Sequence, residues 1–409
     1  MCAPSCRRGC ASSGWCHSLR WGCSALSPPG GGGGGSDGGV SNVPPPPPPA
    51  PPVQSGVFKE SNISGLAFSS GSQSGVTDAD GRFTCETSND ISFAIGGVSL
   101  GQTACATLVT PSQLATLDAL FDLEVANLAR FLQMLDEDGD PDNGIVISAL
   151  VQQVAESWTQ VDFRAADLAA GLVQIISDAA SVDGTLHALP SGHDAFLHLS
   201  DTLNCAYAGA YAGTISGSNS GAAGMVIGWG GPGFGFIPLG FEWQGIDSVN
   251  EFQVFGGGFG GGSVTIRHHP QIDHTEAGLA GPIAAQFETP DRITGTWEGG
   301  TVELRRIGGD NGGEYRLVGK AEGFEVQAYL SLNLDGTTFS GEAFDVVEGM
   351  TIQITGTLTG DAVSLTATGG GLTNVGTGTL TRNPDGSPSE VLGTFDDGSS
   401  FGIVACRLN

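Results

Sequence analysis

The alternation of apolar and polar positions changes character along the chain. Over residues 63–101, short β-rich runs at 63–68, 82–85 and 91–95 are broken by turn-forming residues, which predicts strands. The period then lengthens. Thr110, Pro111, Ser112 and Gln113 combine an N-cap, a proline at the first helical position and a capping-box glutamine. After them Leu117, Phe121, Val125, Leu128, Leu132 and Leu135 recur at intervals of three and four, one face of a helix. Further helices are predicted over 149–158 and over 163–180, the latter with Leu168, Leu172, Ile175 and Ile176 as its apolar face. Beyond Cys205 the period returns to two. Runs at 292–297, 301–307, 315–320, 325–332, 338–344, 351–358 and 362–368 are separated by Gly, Asp-Gly or Gly-Asp, as in an antiparallel meander.

The fold class that follows is mainly β with a helical insert. A small β-sandwich-like module at 55–109 precedes a helical layer at 110–203 that carries an acidic Asp-rich loop. A large antiparallel β-meander or barrel-like domain occupies 204–409. Residues 1–54 are of another kind: five cysteines, then Gly30 to Gly35 and Pro44 to Pro49, a flexible run followed by a stiff one. That composition predicts a disordered segment and tether rather than a core. This segment contains no apolar stretch of about 7 to 15 residues of the kind a secretory signal carries.

The turn Thr77-Asp78-Ala79-Asp80-Gly81-Arg82-Phe83 resembles the T-D-x-x-G-x-F turn of carboxypeptidase-regulatory-like β-sandwich modules, which decorate secreted and surface bacterial proteins. The Gly-rich stretch after Cys23 resembles the tether behind the lipidated cysteine of bacterial envelope lipoproteins, although Arg20 departs from the lipobox pattern. These likenesses imply an envelope lipoprotein or a secreted, adhesin-like protein, with an accessory β-module and no catalytic residue carried over. Gly295-Thr296-Trp297 resembles the signature of up-and-down barrels that hold small ligands.

Charge narrows the partners. The 409 residues carry 15 basic and 43 acidic side chains, a net −28, and Lys59 and Lys320 are the only lysines. Nucleic acid is excluded, since binding it needs a cationic face that displaces counterions. The uncharged stretch 206–240 has too many glycines, and two prolines, for a spanning helix, so contact with a membrane is expected only through a lipid anchor. Outside the tether stand Cys85, Cys105, Cys205 and Cys406. Pairing Cys85 with Cys105 closes the first module, and pairing Cys205 with Cys406 joins the first and last strands of the C-terminal domain. Both imply an oxidising compartment.

Catalytic chemistry finds little support. Its carboxylates are too numerous for any pair to be diagnostic, and no nucleophilic serine is assigned. Six of the seven histidines fall into two groups, His187, His193 and His198, then His268, His269 and His274 beside Asp273, both without H-E-x-x-H spacing. They read as exposed loop residues around Pro190 and Pro270; as zinc ligands, His268 and His274 with Asp273 come first. Asp136, Asp138, Asp140 and Asp142 alternate after a predicted helix end, a spacing suited to calcium, although Ala149 stands where an EF-hand-like loop starting at Asp138 needs its glutamate. The expected function is non-catalytic display of a surface for an extracellular or envelope ligand. The alternatives are a small-ligand carrier with a pocket lined by Trp297, Tyr329 or Phe339, and a metal-dependent hydrolase built on the histidines.

Overall fold

A computed structural model of the chain describes residues 51–116, 122–217, 220–228, 240–246, 252–253, 262–265, 271–274, 283–297, 300–309, 313–323, 327–345 and 348–408. The first module holds eight strands: β1 (Val53–Phe58), β2 (Ile63–Ser64), β3 (Ala67–Ser70), β4 (Gln73–Val76), β5 (Arg82–Glu86), β6 (Asp90–Ile95), β7 (Val98–Ala104) and β8 (Leu108–Val109). One sheet runs β5-β1-β8 and another β4-β3-β6-β7. Strict alternation on β6 buries Ile91, Phe93 and Ile95. Phe93 meets the rings of Phe58 and Phe83 at 4.8 and 5.2 Å. Because Val53 pairs with Glu86 and Gln54 with Cys85, the sheet begins inside the segment expected to be tether.

The Thr77–Phe83 turn is built from its own side chains. Asp78 Oδ1 accepts from the amides of Asp80 and Arg82 at 3.0 and 2.9 Å. Gly81 has φ 71°, and a Cβ there would lie 2.6 Å from the carbonyl of Phe58. Thr77, buried, accepts from the Leu66 amide and donates to the Ile63 carbonyl.

The helical layer comprises α1 (Pro111–Leu114), α2 (Leu123–Met134), α3 (Ala149–Ala155), α4 (Leu168–Asp183) and α5 (Gly192–Tyr207). The capping box at Thr110 and Gln113 is present, but Ala115 is extended and α1 ends after one turn. Helix α2 starts afresh behind Asp122, whose carboxylate caps the Glu124 amide, so the single long helix expected from Leu117 to Leu135 is not one element. Leu117 and Phe121 lie outside the described residues. Between α2 and α3, β9 (Ile145–Val146) pairs in parallel with β2. Helix α5, unforeseen in the sequence, begins at an Ser191 N-cap directly after Pro190 and runs past residue 203 to Tyr207.

The C-terminal half divides into two sheets. The first contains β10 (Gly209–Gly217), β11 (Gly221–Gly228), β12 (Gly240–Ile246), β13 (Phe252–Gln253), β14 (Gly262–Thr265), β15 (Gln271–His274), β16 (Ile283–Thr289), β17 (Arg292–Trp297) and β18 (Gly300–Arg306). Its order is β13-β12-β11-β10-β18-β17-β16-β15-β14. The second contains β19 (Tyr315–Glu322), β20 (Gln327–Asp335), β21 (Thr338–Asp345), β22 (Met350–Thr359), β23 (Ala362–Gly369), β24 (Leu372–Arg382), β25 (Pro388–Phe395) and β26 (Ser400–Arg407). Closure of β26 on β19 makes it an antiparallel barrel of eight strands.

Two apolar cores result. One is continuous through the first module, the helices and the nine-stranded sheet, and takes in Val318, Tyr329 and Phe344 from the outer wall of the barrel. The other is the barrel interior, lined by residues such as Leu317, Leu330, Leu332, Phe339, Leu365 and Ile403.

Candidate functional site

Among the described residues, ionisable groups from distant parts of the chain meet most closely around Glu60. The turn after β1 is pinned by Lys59, which donates to Asn62 and, at 2.6 Å, to the carbonyl of Leu408. This directs Glu60 inward, where it is fully buried. Its Oε1 accepts from Gln133 of α2 at 2.7 Å and from His198 of α5 at 3.1 Å. The far ring nitrogen of His198 lies 3.5 Å from Asp142 of the acidic loop. Glu60 Oε2 is buried without a partner.

Burial raises the pKa of Glu60, against the lowering effect of His198 and Gln133. Burial alone would depress the His198 imidazolium. The hydrogen bond and charge of Glu60, with the charge of Asp142, outweigh it and lift His198 to about 9. Asp201, one turn further along α5, is raised mainly by burial. One ring nitrogen of His198 thus faces Glu60 and the other faces Asp142. What the arrangement does is tie the first module, α2, α5 and the acidic loop to one another.

The four aspartates of the acidic loop have different surroundings. Asp136, buried at the end of α2, accepts from the Val146 amide at 2.9 Å and leaves Oδ2 unpartnered. Its pKa is raised to about 6, by burial first and then by the adjacent Asp138. Asp138 accepts from the Asp140 amide and the Asn143 side chain, both at 3.0 Å, and its pKa is lowered by these bonds. Asp140 stands at the N-cap position of the short turn Pro141–Asn143 without a side-chain capping bond, and Asp142 faces His198. No three His, Cys, Asp or Glu side chains converge as a metal-holding group among the described residues.

The histidines correct the sequence reading in part. His187 is buried, not exposed: its Nδ1 lies 2.8 Å from the Met134 carbonyl at the end of α2, and Nε2 lies 3.0 Å from Asp183 at the end of α4. It occupies a helix-end carbonyl that would otherwise lack a donor. His193 is exposed, but on a helix. His268 and His269 lie outside the described residues, and Asp273 and His274 follow one another on β15.

Both expected cysteine pairs are bridged, each with Cα atoms 5.7 Å apart. Cys85–Cys105 closes the first module. Cys205 stands in the last turn of α5 rather than on a first strand, so its bridge fastens a helix end to β26. Arg316, the register partner of Cys406 on β19, is buried and donates to the Cys205 carbonyl at 2.9 Å. Arg306 of β18 donates to the Ala206 carbonyl and lies 5.7 Å from the Tyr211 ring centroid. Two guanidinium groups thus neutralise the carbonyl end of α5.

The residues named as alternatives for a pocket lining fall in different places. Phe339 is inside the barrel, Tyr329 faces the other core from the barrel wall, and Trp297 belongs to β17 of the nine-stranded sheet. Inside the barrel, the Phe401 ring lies where a Cβ on Gly393 would come within 2.3 Å, and Phe395 sits similarly on Gly376 at 2.8 Å. Rings laid on glycines fill this part of the interior.

No family model, curated protein or solved structure matches this chain. Among the described residues no helix is long and apolar enough to cross a membrane.

Proposed function

We propose that the chain is a non-catalytic protein of the cell envelope or the extracellular space that presents a binding surface on its C-terminal β-structure. The observation that carries this reading is the Cys205–Cys406 bridge, which spans 201 positions of sequence and holds α5 against the barrel wall. Bridges of this structural kind persist where thiols are not kept reduced. The doubly engaged rings of His187 and His198 support a bracing role over a catalytic one. The test is fractionation of the native cell with maleimide labelling before and after reduction. The expected result is an envelope or secreted protein whose Cys85, Cys105, Cys205 and Cys406 label only after reduction; a cytoplasmic protein labelled at these thiols without reduction overturns the reading.

The second reading, a small-ligand carrier, draws on the closed barrel, since eight strands can either be filled by side chains or hold one small ligand. The phenylalanines packed on Gly376 and Gly393 favour the filled case. Fluorescent apolar probes that compete with a natural ligand for the barrel, and lose affinity in Phe339→Ala, would favour the carrier.

A further inference from the structure

We propose that the outward face of β22, β23 and β24 is a binding surface for a neutral polysaccharide. This deepens the display reading and rests on it. Along these strands Ile354, Leu358, Val363, Leu365 and Leu380 point into the barrel, and the alternate positions face solvent. Between Thr351 and Thr381 none of the outward positions on the three strands carries a charge, in a chain whose net charge is −28. The flanking strands resume charge at Glu342 and Glu390.

Register makes the hydroxyls continuous. Thr338 pairs with Thr357, Thr357 with Ser364, Ser364 with Thr377, Thr377 with Thr394, and Thr394 with Ser400. All six are exposed. Ser400 donates to the Glu322 carbonyl, while the hydroxyls of Thr357, Ser364 and Thr377 have no protein partner among the described residues. A second row places Thr355 beside Thr366 and Thr366 beside Val375. Neighbouring strands lie ~4.8 Å apart and alternate residues along a strand ~6.8 Å apart, so the facet is a regular grid about 10 Å wide and about 30 Å long.

The chemistry of the grid selects its occupant. A threonine hydroxyl donates and accepts, and rotates to suit, so it matches sugar hydroxyls in either sense. Its methyl group, with the exposed side chains of Val375 and Leu392, offers small apolar patches to the C–H faces of sugar rings. An anionic polymer is repelled by the acidic molecule, and a cationic one is drawn to its carboxylates instead. A protein partner, including a second copy, would need aromatic, methionine or arginine anchors, and the outward positions of these strands supply none.

The test is native electrophoresis of the full chain through gels containing hydroxyethyl cellulose, dextran or alginate. Three proteins are compared: wild type, Thr357→Val/Thr366→Val/Thr377→Val, and the same three positions changed to serine. Thr357 and Thr377 are exposed and Thr366 half-buried, valine and serine replace a threonine with little change of size, and thermal melts verify that the fold is kept. Retardation of the wild type and the serine variant by at least one neutral polymer, lost in the valine variant and absent in alginate, supports the proposal. It is overturned by a wild type that neither neutral polymer retards, by a valine variant retarded as strongly as the wild type, or by a wild-type dimer in sedimentation velocity that the valine variant abolishes. An exported, oxidised protein without retardation rejects the polysaccharide face and leaves the display reading standing; a retarded protein found reduced in the cytoplasm does the reverse.

Discussion

The barrel interior is lined mainly by apolar side chains, with Asp345 a buried carboxylate at the end of β21, and each strand pairs with its neighbour in sequence except where β26 closes on β19. The larger core encloses Glu60, Asp136, His187 and Arg316, and brings together residues as far apart as Glu60 and His198, 138 positions away. The barrel is therefore specified by a local, repeated pattern. The larger core is specified by single polar contacts between segments that the chain must first bring close. Charged groups in that core are costly to bury and more costly to leave without their partners. Its stability should respond more strongly to pH and to single polar substitutions than that of the barrel.

The largest expected effect comes from removing the bridge that couples the two regions. In the chain-entropy description a loop of 201 residues is worth about 5 kcal/mol and one of 20 about 3 kcal/mol. Cys205→Ser/Cys406→Ser should therefore lower urea stability more than Cys85→Ser/Cys105→Ser, and should split one unfolding transition into two. A single, unshifted transition would break the comparison at its root.

Next in size is Glu60→Gln, which removes the carboxylate that chiefly offsets the burial of a charged His198. A loss of roughly 3 kcal/mol is expected, in line with other broken buried pairs. Near-ultraviolet dichroism should show the change in the helical region and not in the barrel. If Glu60→Gln unfolds with the wild-type midpoint, the contact around Glu60 is not a brace.

The pH dependence sharpens the contrast further. A histidine lifted from 6.5 to about 9 on folding contributes stability that is complete below pH 6.5 and is lost as pH rises through about 9. Glu60 and Asp136 are also raised on folding, so the stability each contributes is present at low pH and lost as pH rises. For Asp136 that loss runs from about 4 to about 6. Midpoints measured between about pH 7 and about pH 10 should fall in the wild type and fall less in His198→Gln. Parallel curves for the two proteins would remove His198 from the account.

The smallest effect belongs to the barrel exterior. Thr357→Val, exposed and without a protein partner, should change stability by less than about 0.5 kcal/mol. A larger loss would mean that the facet carries weight in folding.

The same contrast sets what could be read from sequence. Barrel strands were legible because apolar residues recur every second position between Asp-Gly and Gly-rich turns; the run expected at 362–368 is β23, Ala362–Gly369. Helix α5 was missed because Pro190 and the polar residues His193, Asp194 and His198 resemble a loop. Its signals were nonetheless present, in Ser191 with Asp194 three residues on, and in Ala195, Leu199 and Leu203. The cysteine pairs followed from module closure, although the setting of Cys205 did not. The contact of Glu60 with His198 and Asp142 was not legible, since no local pattern marks which carboxylate will face which imidazole across three elements.

The bridge from Cys205 to Cys406 also decides what a protease can achieve. A single nick at any bond between those residues, including every turn of the nine-stranded sheet and the barrel, yields two fragments that remain covalently joined. Such a molecule would run as an intact chain on a non-reducing gel and fall apart only with reductant. Cuts between these two cysteines would accumulate without releasing either fragment until the bridge is reduced.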